Sequence, residues 1–228
     1  MKNTAASVLL AAGLLAPGLA ALARAETDTV DLQSRAGVSL DVNLPNKWRA
    51  ELEYENRRFE DLATFRGHYF TVEGGYKLAR GLDALVNYRL ADGNGWTSNR
   101  FGLGLEYEYK TGGLSLGLRP ILQYRTKAVE DDDTGSDGDT FLRTRLQVQY
   151  ALARWLDAYA SVEPYFVFGA DLPVDNWKDT LGLKFELTKH AKIDIYYIYR
   201  PDYGKSGYNR LFHVVGVELR FKTKLPAR

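Results

Sequence analysis

The sequence predicts an all-β protein built as a transmembrane antiparallel β-barrel. Three observations support this fold class. Hydrophobic and polar residues alternate with period two along nearly the whole chain after the N-terminal segment, the alternating segments are mostly long, and tight connections alternate with longer ones. Spanning strands need about 9–11 residues, whereas strands of soluble proteins average about 5–6. In a membrane barrel the apolar face meets lipid and the polar face lines the lumen, the reverse of a soluble sandwich.

The composition excludes several other classes of protein. A chain with 45% hydrophobic and 26% charged residues is not disordered throughout. No run of about 18 apolar residues follows the N-terminal segment, which excludes helical membrane spans. The absence of Cys excludes disulfide scaffolds and thiolate metal sites. A net charge of +1 gives no reason to expect nucleic acid, and no cofactor or metal site is predicted.

The N-terminus has the pattern of an export signal. A positive residue precedes the apolar stretch 6–22, and Ala23-Arg24-Ala25 fits the small-x-small rule for cleavage. The alternative is a membrane-anchoring helix, but the apolar stretch is short and is interrupted by Pro17-Gly18. The sequence therefore predicts a cleaved signal peptide at 1–25 and a multi-pass outer-membrane β-barrel at 26–228, in a Gram-negative bacterium.

Eleven segments show the alternation. In the second of them, Trp48 and Leu52 fall on one face, and Glu51 and Glu53 fall on the other. The segments are 32–44, 47–59, 64–78, 82–90, 101–109, 114–127, 142–152, 155–169, 177–188, 192–200 and 211–221.

The strand count depends on where the chain termini lie. Two periplasmic termini require an even number of antiparallel strands, and eleven segments break that rule. Either residues 26–31 add a short twelfth strand, or the 32–44 segment is not a full member of the wall and ten strands remain. We therefore expect 10–12 strands, and the continuous alternation of 32–44 favours twelve.

The connections differ in length at the two ends of the predicted barrel. The tight ones are expected at 44–47, 79–81, 111–113, 153–154 and 189–191, and the longer ones at 60–63, 91–98, 128–139, 170–176 and 201–209. This difference is typical of periplasmic turns and cell-surface loops. Aromatic residues near the strand ends on the apolar face, among them Trp48 and Phe221, predict two interfacial girdles.

The last strand carries an assembly pattern. Gly216, Leu219 and Phe221 have the Gly-x-x-apolar-x-aromatic spacing of terminal barrel strands that the outer-membrane insertion machinery reads. Seven further residues follow Phe221, whereas most such barrels end at the aromatic residue. We expect this machinery, outer-membrane lipid and lipopolysaccharide as partners.

The stretch 176–221, with Leu181–Leu187, Ile193–Tyr199 and the closing Gly-x-x-Leu-x-Phe, resembles the family of outer-membrane β-barrels known as domain of unknown function 2490. The strand start Phe141–Arg145 fits the same family. The resemblance covers most of the mature chain, and it implies a barrel and an outer-membrane location without an established activity. A second likeness, based on strand count and lumenal arginines, is to the small oligogalacturonate and sialic-acid porins, which are narrow 12-strand barrels.

The polar faces predict a lumen rich in cations. Most of these cations are expected at the outer ends of the strands, with acids such as Glu51, Glu163 and Asp194 deeper. The strands 114–127 and 140–152 carry cations without an inward acid between them, which predicts a basic wall. The candidate anion-binding residues are Arg57, Arg89, Arg100, Arg119, Arg125, Lys127, Arg143, Arg145, Lys178 and Arg200.

Two functions fit such a lumen. Guanidinium groups at a mouth raise the local concentration of anions and bind carboxylates or phosphates, which predicts a narrow passive channel for small anionic solutes such as sugar acids. Alternatively, inward charges of both signs pair and fill the lumen of a non-conducting structural barrel. An outer-membrane hydrolase is disfavoured because none of the three His residues falls on the inward face. The protein is therefore not expected to be an enzyme.

One predicted loop is strongly acidic. It joins the two strands of the basic wall, and it could fold inward as a gate, bind a cation, or remain a solvated surface loop. It does not match the EF-hand pattern, because Thr144 stands where the bidentate Glu belongs. The candidate gating residues are Glu130, Asp131, Asp132, Asp133, Asp137 and Asp139.

Three polar residues, Arg66, His68 and His213, fall on the lipid-facing side near the outer strand ends. They either contact lipopolysaccharide phosphates or lie above the membrane.

Overall fold

The computed structural model describes residues 29–126, 140–168, 174–202 and 210–225, and these residues form one closed barrel of eleven strands. The predicted signal peptide at 1–25 lies outside the described residues. The strands are β1 (Thr29–Asn43), β2 (Trp48–Phe59), β3 (Thr64–Ala79), β4 (Leu82–Gly93), β5 (Trp96–Thr111), β6 (Leu114–Arg125), β7 (Thr140–Ala153), β8 (Leu156–Val167), β9 (Val174–Thr188), β10 (Ala191–Asp202) and β11 (Arg210–Lys224).

The barrel closes through a parallel pair of strands. Each strand pairs antiparallel with its neighbour in sequence, but β1 runs parallel to β11 from Thr29↔Arg210 to Asn43↔Lys224. The expected range of 10–12 strands is confirmed, and the preference for twelve is wrong. The parity rule assumes that every neighbour is antiparallel, and one parallel pair lets an odd number of strands close. The segment that predicted β1 is a full member of the wall.

The two ends of the barrel differ, although less than the sequence suggested. We call the end where β1 meets β2 the short-turn end and the opposite end the loop end. The predicted long connection at 91–98 is wrong, because β4 and β5 continue to a two-residue turn at Asn94-Gly95. Asn-Gly is a strong hairpin signal, and Gly95 adopts the positive φ of 81° that such a turn requires. The longer connections 126–139, 168–173 and 203–209 all lie at the loop end.

The side chains face as the alternation predicted. Leu103 and Val86 are 66% and 56% exposed on the outer wall, whereas the inward Asp194 and Arg200 are each 1% exposed. Exposed aromatic residues such as Trp48 lie near the strand ends. A wall that is apolar outside and ionised inside is the arrangement of a membrane barrel. Separately, the described residues contain no helix of the length and hydrophobicity needed to cross a membrane.

Inward tyrosine rings pack against glycines of neighbouring strands. One row across the sheet reads Tyr159, Gly182, Tyr196 and Gly216 in register. A Cβ added at Gly216 would overlap the Tyr196 ring, and a Cβ added at Gly182 would overlap the Tyr159 ring. Gly216 of the predicted assembly pattern therefore accommodates a ring, while Phe221 of the same pattern points outward.

Gly216→Ala is expected to destabilise the barrel by about 1–3 kcal/mol, because the new methyl group must displace the Tyr196 ring. The fraction that refolds into detergent micelles, measured by heat-modifiable gel mobility, should fall, and Tyr196→Ala in the same chain should restore it. Gly117→Ala is the matched control, since a Cβ there would lie 3.7 Å from the Gln147 side chain, an ordinary contact. Equal refolding of Gly216→Ala and wild type would contradict this role. Refolding without insertion machinery isolates the packing effect from any signal.

Candidate functional site: the barrel lumen

The lumen holds a cavity of about 380 Å³ with a predominantly polar lining. Seven of the sequence-predicted cations line it, as their position on the polar faces implied: Arg57, Arg89, Arg100, Arg119, Arg143, Arg145 and Lys178. Arg125 and Arg200 also point inward but lie beyond the cavity toward the loop end, where they are 2% and 1% exposed. Lys127 and the acidic loop 130–139 lie outside the described residues.

The cavity is also lined by four cations that were not among the candidates, namely Arg35, Arg49, Lys184 and Arg220. The same period-two parity that identified the others identifies these. The candidate set covered mainly cations expected at the outer strand ends, whereas Arg49 and Arg220 lie near the short-turn end of their strands.

A network of ion pairs crosses the lumen. Arg49 on β2 pairs with Glu106 on β5, and its guanidinium also lies 3.5 Å from Asp83 and 3.6 Å from Glu73. Arg119 on β6 pairs with Glu73 on β3 and lies 3.8 Å from Glu106. The Arg49–Glu106 and Arg119–Glu73 pairs each join strands three positions apart, so these side chains extend across part of the lumen and narrow its cross-section. We call Arg49, Glu73, Glu106 and Arg119 the cross-lumen bridge.

Glu163 lies closer to the loop end than expected. Its carboxylate is 2.8 Å from Arg143 Nε and accepts a hydrogen bond of 2.7 Å from the Tyr165 hydroxyl. Lys178 donates in turn to that hydroxyl at 2.6 Å. The prediction of a deep Glu163 is wrong, because β8 rises toward the loop end and reaches Glu163 four residues before it ends at Val167. Glu55, which pairs with Arg57 at 2.5 Å, is a second acid among these cations.

A third group of charges lies toward the short-turn end, as the sequence placed it. Asp194 accepts a hydrogen bond of 3.0 Å from the Tyr159 hydroxyl and lies 3.4 Å from Arg220. Arg220 also pairs with Glu218 at 2.6 Å. The carboxylate of Asp194 is thus compensated although the residue is 1% exposed.

The charges are also divided across the lumen. The predicted basic wall is confirmed for the described residues, since β6 and β7 present cations inward and no acid. Arg119 and Arg145 are direct partners in the register of these two strands. Strands β1–β3, which lie roughly opposite in an eleven-strand ring, contribute five carboxylates to the cavity lining, partly offset by Arg35, Arg49 and Arg57. The five are Asp41, Glu51, Glu53, Glu55 and Glu73.

Aromatic rings cover cations toward the loop end. The Arg57 guanidinium lies 3.7 Å from the Tyr69 ring centroid, and the Arg200 guanidinium lies 4.1 Å from that of Phe212. We call the loop-end layer the set of Arg57 on Tyr69, Arg125 on Phe141, Lys178 on Tyr165 and Arg200 on Phe212. Cation–π contacts strengthen when water is excluded. The side chain of Arg57 is only 7% exposed, against 38% for Arg220, so water reaches the short-turn half more freely.

The histidines lie away from the lumen. His68 and His213 bond the hydroxyls of the outward Tyr54 and Tyr197, and His190 lies in the turn between β9 and β10. Arg66 packs over the rings of Phe59 and Trp96, at 4.9 and 5.3 Å. Within the described ranges, no group of three or more His, Cys, Asp or Glu side chains could hold a metal ion.

Comparison with known proteins identifies a family. Residues 36–211 match the family described as protein of unknown function, DUF2490. No curated protein matches the chain. Among solved structures, the barrel is similar to a NanC porin, with a TM-score of 0.51 and 14% sequence identity over 74% of this chain and 86% of the porin chain. At this identity the likeness concerns the fold alone.

Proposed function

The chain belongs to the DUF2490 family, and on that premise we propose that it is a narrow, passive outer-membrane channel that favours small anionic solutes such as sugar acids. The family name supplies no activity, so the proposal rests on the lumen. The proposal also includes a cleaved signal peptide at 1–25, insertion through the terminal-strand pattern, and contact of the outer wall with lipid and lipopolysaccharide.

The basic wall is the observation that carries the proposal. Arg119 and Arg145 face each other on adjacent strands, Arg143 follows on the same face, and all three line the cavity. A wall of guanidinium groups opposite a wall of carboxylates creates a field across the lumen, and anions concentrate along its positive side. Guanidinium groups also bind carboxylates through two parallel hydrogen bonds.

A second candidate function is a structural barrel that does not conduct. The cross-lumen bridge and the buried loop-end layer favour it, because both place paired charges within the cross-section. We prefer the channel because β6 and β7 present cations to the cavity and carry no acid of their own. An enzymatic role has less support, since His68 and His213 lie on the outer wall and His190 in a turn, where none of them can activate a lumenal nucleophile.

Reconstitution into planar bilayers under a KCl gradient tests the proposal. A channel gives discrete current steps, and its reversal potential has the sign of chloride preference. Conductance indistinguishable from the lipid baseline, with folding verified by heat-modifiable mobility, would favour the structural barrel. Cation preference would contradict the role of the basic wall.

A further inference from the structure

Arg145 is set apart from its neighbours by its surroundings. It lines the cavity, but among the described residues it makes no hydrogen bond and no ion pair within 4.0 Å. Arg119, its partner in the register, is compensated by Glu73, and Arg143 is compensated by Glu163. Like charges directly opposite each other destabilise a sheet. An anion binding from solution at Arg145 would therefore relieve repulsion as well as form new contacts.

A row of uncharged polar groups lies beside Arg145. Gln147 is the next inward residue on β7, and the register places Ser161 and Thr180 in line with it on β8 and β9. All three line the same cavity. None of their side chains makes a hydrogen bond within the described part of the chain. Together they offer an amide and two hydroxyls, each able to donate and to accept.

We propose that Arg145 and this polar row form a binding site for a polyhydroxylated carboxylate. The guanidinium binds the carboxylate, and Gln147, Ser161 and Thr180 bind hydroxyl groups on the adjoining carbons. A simple inorganic anion or an unsubstituted fatty carboxylate would use the arginine but not the row. A site built for hydroxyl groups discriminates against an analogue that lacks them, because its polar groups are then left unpaired. This inference deepens the proposed channel function and rests on it.

The test measures equilibrium binding, independently of ion flow. Isothermal titration of the refolded full chain in detergent, at low ionic strength, compares D-gluconate with butanoate. We expect gluconate to bind at least tenfold more tightly. Arg145→Gln should weaken both ligands, whereas Gln147→Leu combined with Ser161→Ala and Thr180→Val should reduce gluconate to the affinity of butanoate and leave butanoate unchanged.

The controls separate the site from general effects. Lys110→Gln removes one exposed cation at the short-turn end, and Ser115→Ala removes a cavity-lining hydroxyl far from Arg145 along the strand. Neither should change the gluconate preference.

Each outcome of the titration decides the proposal. Equal affinity of the wild type for both ligands would overturn the site without needing any variant. A gluconate preference that survives the loss of Gln147, Ser161 and Thr180 together would also overturn it. Gluconate binding without bilayer current would refute the channel and leave the site standing. Anion-selective current without a gluconate preference would refute the site and leave the channel standing.

Discussion

We expect Arg143→Glu combined with Arg145→Glu to reverse the ion preference of the proposed channel in bilayers, so that the reversal potential in a KCl gradient changes sign. The two substitutions replace two positive charges with two negative ones on a wall that carries no acid of its own. Because the lumen is narrow and partly dehydrated, each charge acts on a passing ion with less screening than in bulk water. We expect the largest change in selectivity of any pair of substitutions in the barrel.

The matched control is Arg154→Glu with Lys189→Glu. Both residues are exposed in turns at the short-turn end, so the change in net charge is the same while the lumen is untouched. This control should keep the wild-type sign. Arg145→Glu alone serves if the double variant refolds poorly, because Arg143 compensates Glu163 and its loss costs stability. If the reversal potential is unchanged both in the Arg143→Glu and Arg145→Glu double variant and in Arg145→Glu alone, the basic wall does not set the ion preference.

We expect Arg119→Ser combined with Glu73→Ser to raise the single-channel conductance of the proposed channel at least twofold. The pair belongs to the cross-lumen bridge and links β6 to β3, and its removal widens the lumen at constant net charge. Replacing both members of a buried ion pair is often nearly neutral for stability. Removing only Arg119 takes away one of the two cations beside Glu73 and leaves Arg49 at 3.6 Å. The single variant should therefore lose stability, but by less than the roughly 3–5 kcal/mol that a fully uncompensated buried charge costs.

An exposed ion pair provides the comparison for this prediction. Lys110→Ser with Glu108→Ser removes a pair of 2.8 Å between two residues of β5 near the short-turn end, a pair that does not cross the lumen. Its conductance should equal that of the wild type. If the Arg119 and Glu73 double variant conducts no better than this control, the bridge does not limit flow. If neither it nor the wild type conducts, the charge-filled barrel is the better description.

Local sequence predicted the wall and most of the lining of the site. Seven of the ten candidate cations line the cavity, because inward or outward placement follows from period two within each strand. The dipeptide Asn94-Gly95 is itself typical of a tight hairpin turn, but the whole of 91–98 was predicted to be a long connection. The inward rings of Tyr69 and Phe212 share the parity of the lumenal charges, but the prediction considered only the charged residues of that face.

The amino-acid pattern already indicates which face each side chain occupies, because alternation is a property of neighbours along one strand. The strand count, the level of Glu163 and the partner of each charge depend on the closed barrel. Arg49 meets Glu106 across 57 residues of sequence, and Tyr196 meets Glu55 across 141. Contacts between residues so far apart in the sequence depend on how the sheet closes and on the offset between strands that are distant along the chain. The parallel pairing of β1 with β11 sets both, and no periodicity within a single strand encodes it.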